Sequence, residues 1–339
     1  MKKLILKITL ILFLLGLFIY LFFSDNGLIT FLNDPSKIDI TWLIMAFVCQ
    51  FINLAIDAYL THKFLKNIEK KVSIKDSISC SVVGQFFNAI TPSATGGQPM
   101  QVYILSKKGI KGGTTTSALV QKFIVYQTSI VIYAIIAILV RIKYFIELNP
   151  LVYSILVFGF SLQALIVLGL IIFSFNRKFT KKIIVFLFTI LGKLKIIKNY
   201  NEKIENLNHQ LKIFHKGNKE LYKNKYLLLE TYTFTFVQLT SMFLIPYCIY
   251  KSFYLSGNGI FDMISAQTFI TISSSFVPIP GGSGAAEGAS SIFLSPFFNE
   301  KTIKSAVALT RIVNYYFTIF LTAPFAYFLK NKKPIKKDG

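Results

Sequence analysis

The apolar residues of this chain run in long, nearly unbroken blocks. Blocks 4–23, 40–60, 114–140, 151–175, 226–250 and 305–329 each approach or exceed the ~20 residues that a helix needs to cross ~30 Å of hydrocarbon. The pattern predicts an all-α polytopic membrane protein with six full transmembrane helices. Two further apolar stretches are interrupted. Segment 77–106, SISCSVVGQFFNAITPSATGGQPMQVYILS, runs helically to Ile90, breaks at Pro92, Gly96, Gly97 and Pro99, and resumes as a second short run. At about 30 residues it is too short for two crossings, so it reads as a re-entrant hairpin with a broken centre. Segment 263–299 is centred on SSSFVPIPGGSGAAEG, with turn residues Pro278, Pro280, Gly281, Gly282 and Gly284, and reads as a second hairpin.

Charge in the connections sets the orientation, because lysine and arginine are retained on the cytoplasmic side. Segment 24–39 carries Asp25, Asp34 and Asp39 against Lys37 and reads as external, whereas Lys63, Lys66, Lys70, Lys71 and Lys75, and then Lys107, Lys108 and Lys111, read as internal. Segment 176–225 holds thirteen Lys/Arg against three Glu and is the main cytoplasmic loop. It reads either as helical, with Ile183 to Leu191 as an amphipathic stretch in the membrane interface, or as a solvated basic linker. The first block exceeds a signal-peptide core and no small-residue cleavage site follows Phe23, so it reads as a retained span. Both termini are then cytoplasmic, with 330–339 a short basic tail, and a bacterial cytoplasmic membrane is the expected location. A first half, 1–140, and a second half, 151–329, share the order span, span, hairpin, span but start on opposite sides. Residues 1–339 thus form one domain built as an inverted-topology repeat.

Composition agrees: 53% of residues are hydrophobic, above the roughly 45–50% of soluble domains. The net charge of +22 lies in short loops between apolar blocks rather than on one polar domain. It points to topology and anionic lipid, and not to nucleic acid. Cys49, Cys80 and Cys248 have apolar surroundings and no paired spacing, and His62, His209 and His215 are expected in polar loops. Neither a disulfide framework nor a metal site is expected, no cofactor is implied, and no catalytic set is visible. Gly281, Gly282 and Gly284 lack the strand, turn and helix of a nucleotide fingerprint.

Broken helices inside a bilayer persist only where protein or a polar cavity receives their backbone groups, so a polar cavity between the hairpins is expected. Around it lie Gln85, Asn88, Gln98 and Gln101 with Thr91, Ser93 and Thr95, and on the second hairpin Ser273, Ser274, Ser275 and Ser283. For the hydroxyls, plain helix packing is the competing reading. Four ionisable residues sit inside apolar blocks: Asp57 and Lys122 toward the inner side, Glu287 and Arg311 toward the outer. Each costs at least ~2.5 kcal/mol at a helix centre without a partner or water, which makes them the candidate lipid-binding residues. Snorkelling of Asp57 and Lys122, or a structural Glu287–Arg311 pair, is the alternative.

GQFFNAITPSATGGQPMQVYILSKKG at 84–109, VPIPGGSGAAEG at 277–288 and the arginine of ALTRIVNYYF at 308–317 resemble the lysylphosphatidylglycerol synthase transmembrane family, also described as flippase-like, over nearly the whole chain. In that family an early-span acid, the acid after the glycine turn and the last-span arginine look important for lipid handling. The resemblance carries these onto Asp57 of NLAIDAYLTHKFL, Glu287 and Arg311. Where many relatives place an arginine after the glycine pair, this chain has Gln101, which would hold an anionic head more weakly. Full synthases add a soluble aminoacyl-transfer domain, and this chain ends at Gly339, ten residues past its last apolar block. The resemblance therefore implies a translocase for phosphatidylglycerol or its aminoacyl derivative, with anionic phospholipids as partners. The alternatives are a phosphatidylglycerol lysyltransferase that takes lysine from tRNA and confers resistance to cationic antimicrobial peptides, and an accessory subunit that presents lipid to a separate transferase. A homo-oligomer is a further expected assembly.

Overall fold

The computed structural model describes residues 38–92, 94–141, 149–193, 200–274, 284–300 and 302–329. The chain is an all-α polytopic membrane protein. Among the described residues five helical segments are long and apolar enough to cross a membrane: 40–68, 112–140, 152–175, 225–252 and 303–325. They coincide with five of the six expected spans. The expected span 4–23, the tail 330–339 and the turn residues Pro278, Pro280, Gly281 and Gly282 lie outside the described residues.

Hydrocarbon offers no hydrogen-bond partner, so each segment satisfies its backbone as helix. Helix α1 (Ile40–Ile68) starts where Asp39 accepts from the Thr41 N–H at 2.9 Å, and it runs two turns past its apolar block. The first hairpin follows as α2 (Ile74–Ile90) and α3 (Gly97–Lys107), then the long α4 (Gly112–Val140) and α5 (Pro150–Phe175). The basic loop forms α6 (Arg177–Lys193) and α7 (Tyr200–Lys223). The fourth described span is broken into α8 (Lys225–Phe243) and α9 (Ile245–Ser252), because Pro246 lacks the N–H that would continue the ladder. The second hairpin contributes α10 (Ile260–Ser274) and α11 (Ala285–Leu294). The last span is α12 (Ile303–Arg311), a π-helical segment Ile312–Tyr316, and α13 (Phe317–Leu329).

The connections gather at two ends. At the lysine-rich end, Asn224 donates to Asn67 at 3.1 Å and the Gly113 N–H to Gln210 at 2.6 Å. At the other end the Asp39 N–H donates to the Ser252 carbonyl at 2.8 Å, and Arg141 pairs with Asp262. Helices α2 and α3 pack together, and the ion pair between Asp76 and Lys108 joins their feet at the lysine-rich end, so the chain returns to the side it entered. Glycine is required at the turn: a Cβ on Gly97 would lie 2.6 Å from the Gly84 carbonyl oxygen. Helices α10 and α11 pack likewise, with Gly284 at φ +81° opening α11. The main apolar core, at the end opposite the lysines, joins Ala46, Ile245, Ile249, Phe269, Leu294 and Ala306.

Three details differ from the expectations. Helix α7 is not a solvated linker: Leu211, Phe214 and Leu221 are buried, and Asn218 accepts from Ser117 at 2.7 Å while donating to Ser174 Oγ at 2.7 Å. The histidines lie on helices, His62 on α1, which outruns its apolar block, and His209 and His215 on α7, which forms within the basic loop. Cys49 and Cys248, far apart in sequence, fall in one buried apolar cluster because α1 and α9 pack side by side.

Candidate functional site

Helix α1 presents Gln50, Asn53, Asp57 and Thr61, spaced i, i+3, i+7 and i+11 and hence on one face. Toward the lysine-rich end of this stripe Asp57 is buried at 6% exposure. Ser81 of α2 donates to its Oδ2, and Lys122 of α4 lies 2.7 Å from its Oδ1. Lys122 Nζ also donates to Thr61 Oγ1 at 2.7 Å and to the Asp57 carbonyl at 3.3 Å. An ammonium has three N–H donors, and here all three have acceptors. Attraction and hydrogen bonds together oppose the desolvation of both charges.

The second pair is more open. Arg311 closes α12, and its Nε lies 2.9 Å from Glu287 Oε1, with side-chain exposures of 12% and 37%. Glu287 is held by its own hairpin, since its Oε2 accepts the Gly284 N–H across the first turn of α11. The guanidinium carbon sits 4.3 Å from the Tyr315 ring centroid, a cation–π contact, and the Tyr315 hydroxyl donates to the Ala89 carbonyl at 3.1 Å. Ala89 is fifteen residues along α2 and Tyr315 twelve beyond Ile303. At 1.5 Å per residue these are about 22 Å and 18 Å from opposite ends of the bundle, so the first hairpin meets the last span near mid-depth.

The α1 stripe links the two pairs. Gln50 donates to Thr318 Oγ1 at 2.7 Å and to the Asn314 carbonyl at 3.3 Å, and Asn53 donates to Gln50 at 3.2 Å. Asn314 lies in the π-helical segment, a widened turn of the kind that recurs at functional sites. Its Oδ1 is buried without a hydrogen-bond partner.

The remaining predicted residues distribute as follows. Gln101 is 7% exposed and donates to the Cys80 carbonyl at 3.2 Å, inside the first hairpin. Asn88 accepts the Gly97 N–H at 3.0 Å and so holds the start of α3. Gln85 and Gln98 are half-buried, Gly96 likewise, and Pro92 and Pro99 are exposed at the hairpin turn. Ser273 lines a crevice of about 140 Å³ with Val152, Ile155, Ala289, Ile292 and Phe293, while Ser274 donates to the Ile270 carbonyl at 2.7 Å. The pairings Asp57 with Lys122 and Glu287 with Arg311 thus draw on both halves of the chain. Sequence reasoning missed Gln50, Asn53, Thr61, Ser81 and Tyr315. The helical spacing on 40–68 could have marked the first three, whereas only tertiary packing brings Ser81 and Tyr315 in. Among the described residues no group of His, Cys, Asp and Glu is arranged to hold a metal ion.

Residues 4–321 match the family described as Lysylphosphatidylglycerol synthase TM region. The chain is also similar to a UPF0104 membrane protein of Archaeoglobus fulgidus, at 27% identity over 295 residues, covering 83% of this chain and 84% of that protein.

Proposed function

We propose that this chain, which belongs to the Lysylphosphatidylglycerol synthase TM region family, moves phospholipids between the leaflets of a bacterial cytoplasmic membrane, with its lysine-rich end and both termini on the cytoplasmic side. One observation carries the reading: a partly exposed Arg311–Glu287 pair stands at the turn of one hairpin and is tied through Tyr315 to the turn of the other. Arginine offers a planar fork suited to a phosphate, and an intramembrane charge is kept at the cost of its desolvation. Arg311 takes the lipid phosphate. Glu287 balances it and receives the cationic group of an aminoacylated head. Lys122, whose three donors are engaged, opens to lipid only if its bonds to α1 break, so the Asp57–Lys122 pair closes the inner side of the path. Gln85, Asn88, Gln98 and Gln101 supply the polar lining of the first hairpin.

The test is translocation of phosphatidylglycerol and lysylphosphatidylglycerol by purified protein in liposomes. Wild-type protein is expected to move at least one of them, and Arg311→Ala and Glu287→Gln to lose that activity while remaining folded. Wild-type rates in both variants would overturn the assignment. Binding without movement would favour lipid presentation to a separate transferase, and transfer of lysine from charged tRNA to lipid by this chain alone would replace transport with synthesis.

A further inference from the structure

Tyr315 joins two elements that the chain keeps far apart. The π-helical segment widens the turn after Arg311, as the bond from the Phe317 N–H back to the Ile312 carbonyl records, and position 315 comes to lie beneath the guanidinium. The face of one rigid ring therefore supports Arg311 while its hydroxyl, at the far edge, reaches the first hairpin. The acceptor there stands at the end of its helix. Ala89 lies in the last turn of α2, where carbonyls have run out of following N–H groups, and the neighbouring Phe87 carbonyl is satisfied separately by Thr91 Oγ1 at 2.6 Å. Through Glu287, Arg311, Tyr315 and Ala89 the second hairpin, the last span and the first hairpin form one chain of contacts.

We infer that Tyr315 is a positioning residue that couples the occupancy of Arg311 to the placement of the first hairpin's turn. The ring can follow the guanidinium only by moving its hydroxyl, so an anion that draws Arg311 away from Glu287 pulls on the Ala89 carbonyl. The competing reading is a phenol in an apolar interior that simply takes the nearest acceptor. The two separate because the ring face and the hydroxyl can be removed independently. The inference rests on the lipid reading above for the ligand of Arg311 but not for the Tyr315–Ala89 tie itself.

The experiment pairs phosphatidylglycerol binding and translocation with hydrogen–deuterium exchange over residues 86–97, in wild type, Tyr315→Phe and Tyr315→Leu. Tyr315→Phe keeps the ring face. It is expected to retain the half-saturating lipid concentration within about twofold, to slow translocation by about fivefold, the factor for one net hydrogen bond, and to raise exchange over 86–97 even without lipid. The lipid-dependent change in exchange seen in wild type should disappear. Tyr315→Leu also loses the cation–π contact and should weaken half-saturation by about three- to thirtyfold. If Tyr315→Leu does not fold, Tyr315→Met takes its place, with the Tyr315→Leu result expected. Wild-type exchange and transport in Tyr315→Phe would overturn the inference, as would equal loss of affinity in Phe and Leu. Failure of the lipid reading is distinguishable: Arg311→Ala would then transport normally, while the lipid-free exchange over 86–97 in Tyr315→Phe would still report the tie.

Discussion

Lys122 reaches from α4 to α1 and sets its ammonium 2.7 Å from Asp57 Oδ1, with the Thr61 hydroxyl and the Asp57 carbonyl as its other acceptors. Both side chains are nearly sealed, at 14% and 8% exposure. Glu287, by contrast, is 37% exposed. The two acid–base pairs are therefore alike in composition and unlike in consequence.

Removing one member of a buried pair strands the other. Asp57→Asn and Lys122→Met are each expected to destabilise the folded protein by about 3–5 kcal/mol. The double variant Asp57→Leu with Lys122→Met should recover most of that loss, since no charge remains buried. Thermal unfolding in detergent measures it, and additive losses in the double variant would contradict the pairing.

At the half-open pair stability should move less. Arg311 is 12% exposed but Glu287 is 37% exposed and its replacement amide can still accept from the guanidinium, so Glu287→Gln is expected to lower the unfolding temperature less than Asp57→Asn while altering lipid preference. If Glu287 meets the cationic head, the variant weakens binding of lysylphosphatidylglycerol more than binding of phosphatidylglycerol. Equal weakening of the two lipids would mean that Glu287 serves Arg311 alone.

The first hairpin offers a steric comparison. A Cβ on Gly97 would stand 2.6 Å from a backbone oxygen of Gly84, which cannot swing away, whereas a Cβ on Gly84 would meet the side chain of Gln101, with Cδ at 2.5 Å. Gly97→Ala should cost about 1–3 kcal/mol and resist rescue, while Gly84→Ala should be relieved by Gln101→Ala. Proteolysis of the 91–96 turn, compared across the variants, reads the difference.

The docking of α7 should depend on pH. Burial lowers the His215 pKa below the ordinary 6.5, the Arg177 charge lowers it further, and the Ser174 carbonyl at 3.1 Å opposes them by holding Nδ1. Its Nε2 is buried without a hydrogen-bond partner. The undocked helix binds a proton more readily than the docked one, so docking is full above pH 6.5 and weakens as pH falls through the lowered value. Amide protection across 208–223, meaning exchange relative to the intrinsic rate at each pH, should fall between pH 7.5 and pH 5 in wild type. The fall should be absent in His215→Gln.

The membrane class, the described spans and the first hairpin followed from block length, lysine bias and paired Pro and Gly, because a bilayer forces each segment to satisfy its own backbone and makes length itself informative. Asp57, Lys122, Glu287 and Arg311 stood out for a related reason: a charge in hydrocarbon is costly enough to be conspicuous without any structure. The sequence by itself could not say which acid faces which base, since Lys122 lies 65 residues from its partner's backbone and pairing depends on how α1 and α4 are set side by side. Tertiary structure alone decided that α7 docks rather than floats, that Pro246 breaks its span, and that Gln101 turns into the hairpin. It alone brought Tyr315 to Ala89, 226 residues away. Those outcomes depend on shape between helices, where apolar surfaces are nearly interchangeable in lipid and close approach at residues such as Gly97 and Gly217 selects the neighbour.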